Sequence, residues 1–290
     1  MIRIIRNICL CFFITICFFW NQGLKPAGAL ELEVTAGLNQ KTYPSSGSPH
    51  SKFEPFPFII GNLSLKNDIS SSLSYVFNIE RDNVLQNSVD FRLITRIDNY
   101  RLEFGPFIGV SNNLDTPDLG IIGSIEVTLP GILFLSFGGS STVGAKYNGT
   151  SNNFRETIGV SIGFWLPFAI TTFSVNTKSF TQFYGNSFDP IRDNLIRYEL
   201  NTDFFGKITP VSFGINTGYQ TFSRTYHGFL GITDELGSFF AGFKLSCNVT
   251  KPLRLILGAE IPFRLSANSS VTIPEDLLYK MYAGFSLKFF

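Results

Sequence analysis

The sequence predicts a closed, antiparallel, up-and-down β-barrel of about 14 strands that crosses a membrane with its strands. Three observations predict it. The 290 residues are 44% hydrophobic and only 16% charged, against roughly 25% charged in an average soluble domain. Beyond Trp20 no apolar run approaches the roughly 18–20 residues that a membrane-spanning helix needs. The hydrophobic residues instead alternate with polar ones over strand-length segments, and the links between segments alternate between short and long.

The first element is a secretory signal over residues 1–29. Arg3 and Arg6 give it a positive start, Ile8 to Trp20 form a short apolar stretch, and Ala27-Gly28-Ala29 offers a small-x-small cleavage site. The processed barrel then spans residues 30–290. A retained anchor is the alternative reading, but the apolar stretch is short for a span. Cys17 follows Ile-Thr-Ile within that stretch, so it carries no lipoprotein signature. Cleavage removes Cys9, Cys11 and Cys17 and leaves Cys247, which excludes an intrachain disulfide and a cysteine metal cluster. It also removes three basic residues from a chain of formal charge +1, and nothing in the balance implies nucleic acid. A closed, fully hydrogen-bonded sheet supplies the stability that disulfides do not.

The strands follow as period-two segments. The clearest are Leu73 to Ile79, Val89 to Ile97, Tyr100 to Phe104, Ile158 to Phe164, Tyr198 to Phe204, Val211 to Tyr219, Phe243 to Val249 and Leu253 to Ile261. Each sets an apolar or aromatic face against one of Ser, Gly, Asn or charged residues. Phe56 to Leu65 and Ile132 to Ser140 alternate less cleanly, which leaves a count of twelve strands open.

Short links fall at Lys66-Asn67-Asp68, Asp98-Asn99, Pro130-Gly131, Pro167-Phe168, Phe205 to Pro210 and Thr250-Lys251-Pro252. Proline has no N–H for a ladder, so it marks strand ends. Longer polar links are expected over 39–55, 80–88, 111–118, 142–153, 179–194, 221–237 and 264–276. Short turns at one end and long loops at the other are the habit of a membrane barrel with both termini on the short-turn side. A soluble sandwich has no reason to sort its connections this way.

Energy then assigns the faces. A cation on the lipid side near the midplane costs about 2–4 kcal/mol. Arg92, Arg96, Arg101, Glu103, Glu126, Arg197, Glu199, Asn216, Lys244, Arg254 and Glu260 share the polar face in this register and are expected to line the lumen. Phe104, Phe154, Phe164, Phe204, Phe239, Phe263 and Tyr279 cluster near strand ends, as in interfacial girdles. Phe being common throughout would place them there equally well.

The last segment, Tyr279 to Phe290, looks like the C-terminal strand of Gram-negative outer-membrane β-barrels. That resemblance implies an assembly signal in Phe285, Leu287, Phe289 and Phe290, read by the barrel-assembly machinery. Here the apolar alternation runs through Phe289, Leu287, Phe285 and Ala283, one residue off the usual register, with Phe290 as an extra. The first strand begins close to the cleavage site, which leaves no room for an N-terminal plug. The architecture therefore resembles single-chain, unplugged porins of the OmpG type. It implies an outer-membrane location in a diderm bacterium, lipid as a partner, and passive diffusion of small hydrophilic solutes.

On that reading Arg92, Glu199, Asn216 and Lys244 lie near mid-height, and Arg96, Arg101 and Glu103 form a mixed-charge group at the short-turn rim. Interleaved signs give weak selectivity, slightly toward anions at mid-height. The alternative role for these charges is to rigidify the wall through ion pairs. Phe180, Phe183, Tyr184, Phe229 and Leu230 fall in expected loops, where the alternatives are packing among themselves, capping the mouth or binding a partner. A non-conducting structural or adhesive surface barrel is the runner-up function. A hydrolase using His227 with Ser223 and Asp234 is a further one, the other histidine being His50. No phosphate-binding glycine loop and no metal-ligand spacing occurs, so no cofactor is expected.

Overall fold

The computed structural model describes residues 29–42, 56–66, 69–80, 84–111, 118–143, 150–184, 191–204, 210–226, 233–267 and 279–289. They form fourteen strands: β1 (Ala29–Thr42), β2 (Phe56–Lys66), β3 (Ile69–Glu80), β4 (Val84–Ile97), β5 (Tyr100–Ser111), β6 (Asp118–Leu129), β7 (Leu133–Val143), β8 (Thr150–Trp165), β9 (Ala169–Tyr184), β10 (Ile191–Phe204), β11 (Val211–Tyr226), β12 (Thr233–Asn248), β13 (Leu253–Ala267) and β14 (Tyr279–Phe289). Each pairs antiparallel with its sequence neighbour, and β14 closes on β1, with Ala36 opposite Phe285. Closure leaves no sheet edge unpaired, which is what a sheet surrounded by acyl chains requires. The two weakly patterned segments are strands β2 and β7, so the count is fourteen.

The turns explain the hairpins. Asp98 takes a positive φ of 51° between β4 and β5, and Gly131 one of 76° between β6 and β7. Left-handed residues of this kind match the strand twist of tight hairpins, and Asp, Asn and Gly tolerate them best. The strands tilt strongly. A ladder that starts at Glu260, mid-way along β13, passes Gly242, Asn216, Asn201, Thr172 and Gly163 and ends on Phe134, near the short-turn end of β7. Such a stagger is the geometric condition for closing a barrel.

The outside is an apolar belt. Leu93, Phe104, Ile121, Phe137, Ile158, Phe173, Leu200, Ile215, Phe243, Leu257 and Phe285 are all exposed on it. So large an apolar exterior suits acyl chains rather than water. The aromatics Phe104, Phe154, Phe164, Phe239 and Phe263 are exposed there too. Phe204 stacks on Phe213 at the short-turn side, and Tyr219 meets Phe239 at 5.1 Å at the loop side.

The strands run farther toward the loops than hydropathy suggests. β9 reaches Tyr184, β10 starts at Ile191, β11 reaches Tyr226 and β4 starts at Val84. The links expected over 80–88, 179–194 and 221–237 shrink to 81–83, 185–190 and 227–232. The cause is that ladder hydrogen bonds use the backbone alone. Ser179, Asn194, Thr221 and Ser223 keep pairing above the belt although nothing apolar marks them as strand. Phe180, expected in a loop, therefore stands on β9 beneath the guanidinium of Arg155, 4.9 Å from its ring centre. Phe183 and Tyr184 end that strand. His50, His227, Phe229, Leu230 and Phe290 lie outside the described residues.

Candidate functional site: the inner wall

Arg197 on β10 donates through Nη1 and Nη2 to the two carboxylate oxygens of Glu260 on β13, at 2.9 and 2.6 Å. β11 and β12 lie between them. Side chains separated by two intervening strands meet only on the concave side of a curved sheet, so this pair identifies the inward face. The registers carry that face round the ring, and Arg92, Arg96, Arg101, Glu103, Glu126, Glu199, Asn216, Lys244 and Arg254 all fall on it.

Two ion-pair groups occupy opposite walls. On β10 to β14, Arg197 also donates to Glu199 at 2.9 Å and to Gln220 at 3.4 Å, and its guanidinium lies 3.7 Å over the Phe240 ring. Asn216 donates to Glu260 at 3.0 Å and to Glu199 at 3.3 Å, while Lys280 stands 3.5 Å from Glu260. Two cations and two carboxylates thus balance. Glycines make the crossing feasible. A Cβ on Gly242 would collide with Asn216 Oδ1 and the Ala259 carbonyl, and one on Gly218 with the Phe240 ring.

Half-way round the ring, Arg92 on β4 donates to Asp90 at 2.7 Å and to Glu103 on β5 at 3.2 Å. Arg101 pairs with the same Glu103, and two cations again face two carboxylates. The rim group expected from Arg96, Arg101 and Glu103 therefore extends up the wall through Arg92. Arg96 stands directly opposite Arg101 in the hairpin register, and Glu126 opposite Arg101 on the other side.

Lys244 sits lower than its expected mid-height. With Arg254 and Asp203 it lines a cavity at the short-turn end that Pro130, Gly131 and Pro167 also bound. The physical reason is the loop-side extension of β12, which moves the strand centre upward.

Above the Arg197 group, Leu195, Phe222 and Leu236 form a buried cluster on the inward face. Beside it Arg224 makes a two-pronged bond to Asp193 at 2.6 and 2.7 Å. Sequence reading missed Asp90, Asp193, Gln220, Arg224, Phe240 and Lys280. Asp90 and Lys280 share the alternation of residues it used. Phe240 follows Phe239, and a doublet of like residues hides which member faces in.

Of the residues near His227, Ser223 and Asp234 differ in phase in the β11–β12 register. Ser223 pairs with Glu235, while Asp234 stands opposite Arg224, one step out of phase. Among the described residues no cluster of His, Cys, Asp or Glu is arranged to hold a metal.

No family model matches the chain, and no curated protein matches it in sequence. Solved structures do match in fold. OmpT of Vibrio cholerae, an outer membrane protein folded in vitro, superposes with a TM-score of 0.51 at 8% identity, covering 90% of this chain and 97% of its own. Its loop L8 deletion mutant gives the same TM-score and identity over 91% of this chain and all of the mutant. The Acinetobacter baumannii outer membrane protein Omp33 aligns over 91% of this chain at 10% identity, with a TM-score of 0.48. The fold, a closed antiparallel β-barrel, is the one that OmpT shares.

Proposed function

We propose that the protein is a channel of a diderm outer membrane through which small hydrophilic solutes diffuse passively. The observation that carries this is the pair of charge-balanced groups, Arg197 with Glu260 and Arg92 with Glu103, on opposite inner walls of a closed ring. A barrel of fourteen strands encloses more than side chains fill, since eight already make an interior just wide enough for them. Charges held in pairs against the wall keep such an interior wet without a strong single-sign field, so selectivity is weak.

The rest of the reading follows from this role. Residues 1–29 direct export and are removed. Phe285, Leu287, Phe289 and Phe290 serve assembly; Met281 and Phe285 present apolar surface on the outer face of β14. The lumen residues Arg92, Arg96, Arg101, Glu103, Glu126, Arg197, Glu199, Asn216, Lys244, Arg254 and Glu260 set conductance and selectivity. The protein performs no catalysis and needs no cofactor.

The test is reconstitution of purified protein in planar bilayers. Discrete conductance steps are expected. Silence across many insertions rejects the channel and favours a barrel that only presents its loops.

A further inference from the structure

The mid-height arginines Arg197 and Arg92, and Arg224 nearer the loops, are all matched by carboxylates. At the short-turn end of the β10 to β13 wall the pattern changes. A cavity of about 680 Å³ is lined there by Trp165, Phe168, Asp203, Ser212, Lys244 and Arg254, among others. This volume falls within the roughly 300–1,000 Å³ of small-molecule sites.

Its cations are not neutralised. Arg254 donates Nη2 to Ser246 at 2.6 Å and to Ser212 at 3.3 Å, and both partners are uncharged hydroxyls. The two serines hydrogen-bond to each other, which fixes the guanidinium without cancelling its charge. Lys244 is exposed in the cavity and makes no ion pair among the described residues. Asp203 brings one carboxylate, which accepts a bond from Asn201 at 3.1 Å. One positive charge is left over.

The other wall is aromatic. Trp165 ends β8 on the inward face, and Phe134 packs against it with ring centres 5.5 Å apart. Phe134 itself lies over Gly163, where a Cβ would collide with its ring. A flat apolar surface is thus held in place across from two cations.

We propose that this cavity is a binding site for small organic anions with a flat apolar body, the arene carboxylates being the simplest class. The carboxylate meets Lys244 and Arg254, and charge-assisted bonds of this kind are the strong ones. The ring packs on Trp165, where offset aromatic contact adds to simple burial. The site rests on the channel reading only in that its ligand enters through the interior.

Trp165 reports occupancy directly, independently of conductance. The full-chain protein in detergent micelles is titrated with 4-nitrobenzoate or with the neutral 4-nitrobenzyl alcohol while tryptophan emission is followed. The variant W165F identifies the Trp165 signal. Saturable quenching by the anion, at least tenfold tighter than by the alcohol, is expected. The tightness is expected to fall about tenfold in K244Q and further in K244Q/R254Q, with heat-modified electrophoretic migration confirming that each variant is folded. Equal affinities for the two probes, no change in either variant, or quenching that rises linearly without saturation overturns the proposal. Steps in planar bilayers without saturable quenching remove the site and leave the channel standing; saturable quenching with silent bilayers does the reverse.

Discussion

Arg197 and Glu260 join β10 to β13 across two intervening strands through a two-pronged bond, with Nη2 to Oε2 at 2.6 Å. The pair is a tie along the inner circumference, and its worth depends on both members being present.

Glu260→Gln removes the charge from that tie while keeping its shape. Arg197 retains Glu199, but the local balance moves by one unit toward positive. A hydrogen bond to a charged group contributes about 1.5–3 kcal/mol, so the variant is expected to lose stability of about that size in urea unfolding from micelles. A double-mutant cycle with Arg197→Gln isolates the coupling. Additive losses would show that the two side chains do not act as a pair.

Arg92→Glu combined with Lys244→Glu moves four units of charge on opposite sides of the interior. Arg92 faces Asp90 and Glu103, so reversal leaves three carboxylates together. The reversal potential under a salt gradient is expected to shift toward cation preference, most at low salt where screening is weakest. An unchanged potential removes both residues from the ion path.

Gly242→Ala tests the space beneath the tie. The added Cβ would collide with the Asn216 side chain and with the Ala259 carbonyl, and the second of these is backbone that cannot swing aside. Overpacking of this kind costs about 1–3 kcal/mol. A lowered thermal midpoint is expected, together with a reversal potential displaced by the disturbed Glu260. A midpoint equal to the parent's would show that the wall yields freely there.

These residues also show how far the sequence is readable. Strand alternation such as Val89-Asp90-Phe91-Arg92-Leu93 puts the charged side chains on one face, because lipid penalises them on the other. That is why every expected lumen residue shares a face with Glu260. Contacts across strands are not written in any local pattern. Arg197 and Glu260 are far apart in the chain, and only the stagger of four strands brings them together. The upper strand ends were hidden for the opposite reason. Ser179 and Asn194 hydrogen-bond at 2.7 Å on adjacent strands, yet each alone looks like loop.

The outer belt makes a prediction that depends on depth. Ile158 and Glu156 lie on the same outward face of β8, two residues apart, and both are exposed. Ile158 stands opposite Gly139 and Thr177, within the belt, whereas Glu156 stands opposite Ser141 and Ser179, where the outer surface is already polar. An arginine on the lipid side costs about 2–4 kcal/mol near the midplane and falls to about 0–1 near the interface. Ile158→Arg is therefore expected to lower the stability of the barrel refolded in lipid vesicles by more than Glu156→Arg, which is expected to change it little. In a soluble protein the order would vanish, because both positions face solvent and surface substitutions rarely matter there. Equal effects at the two positions would mean that the apolar exterior does not end between them, and the boundary of the membrane-embedded surface on β8 would have to be drawn higher.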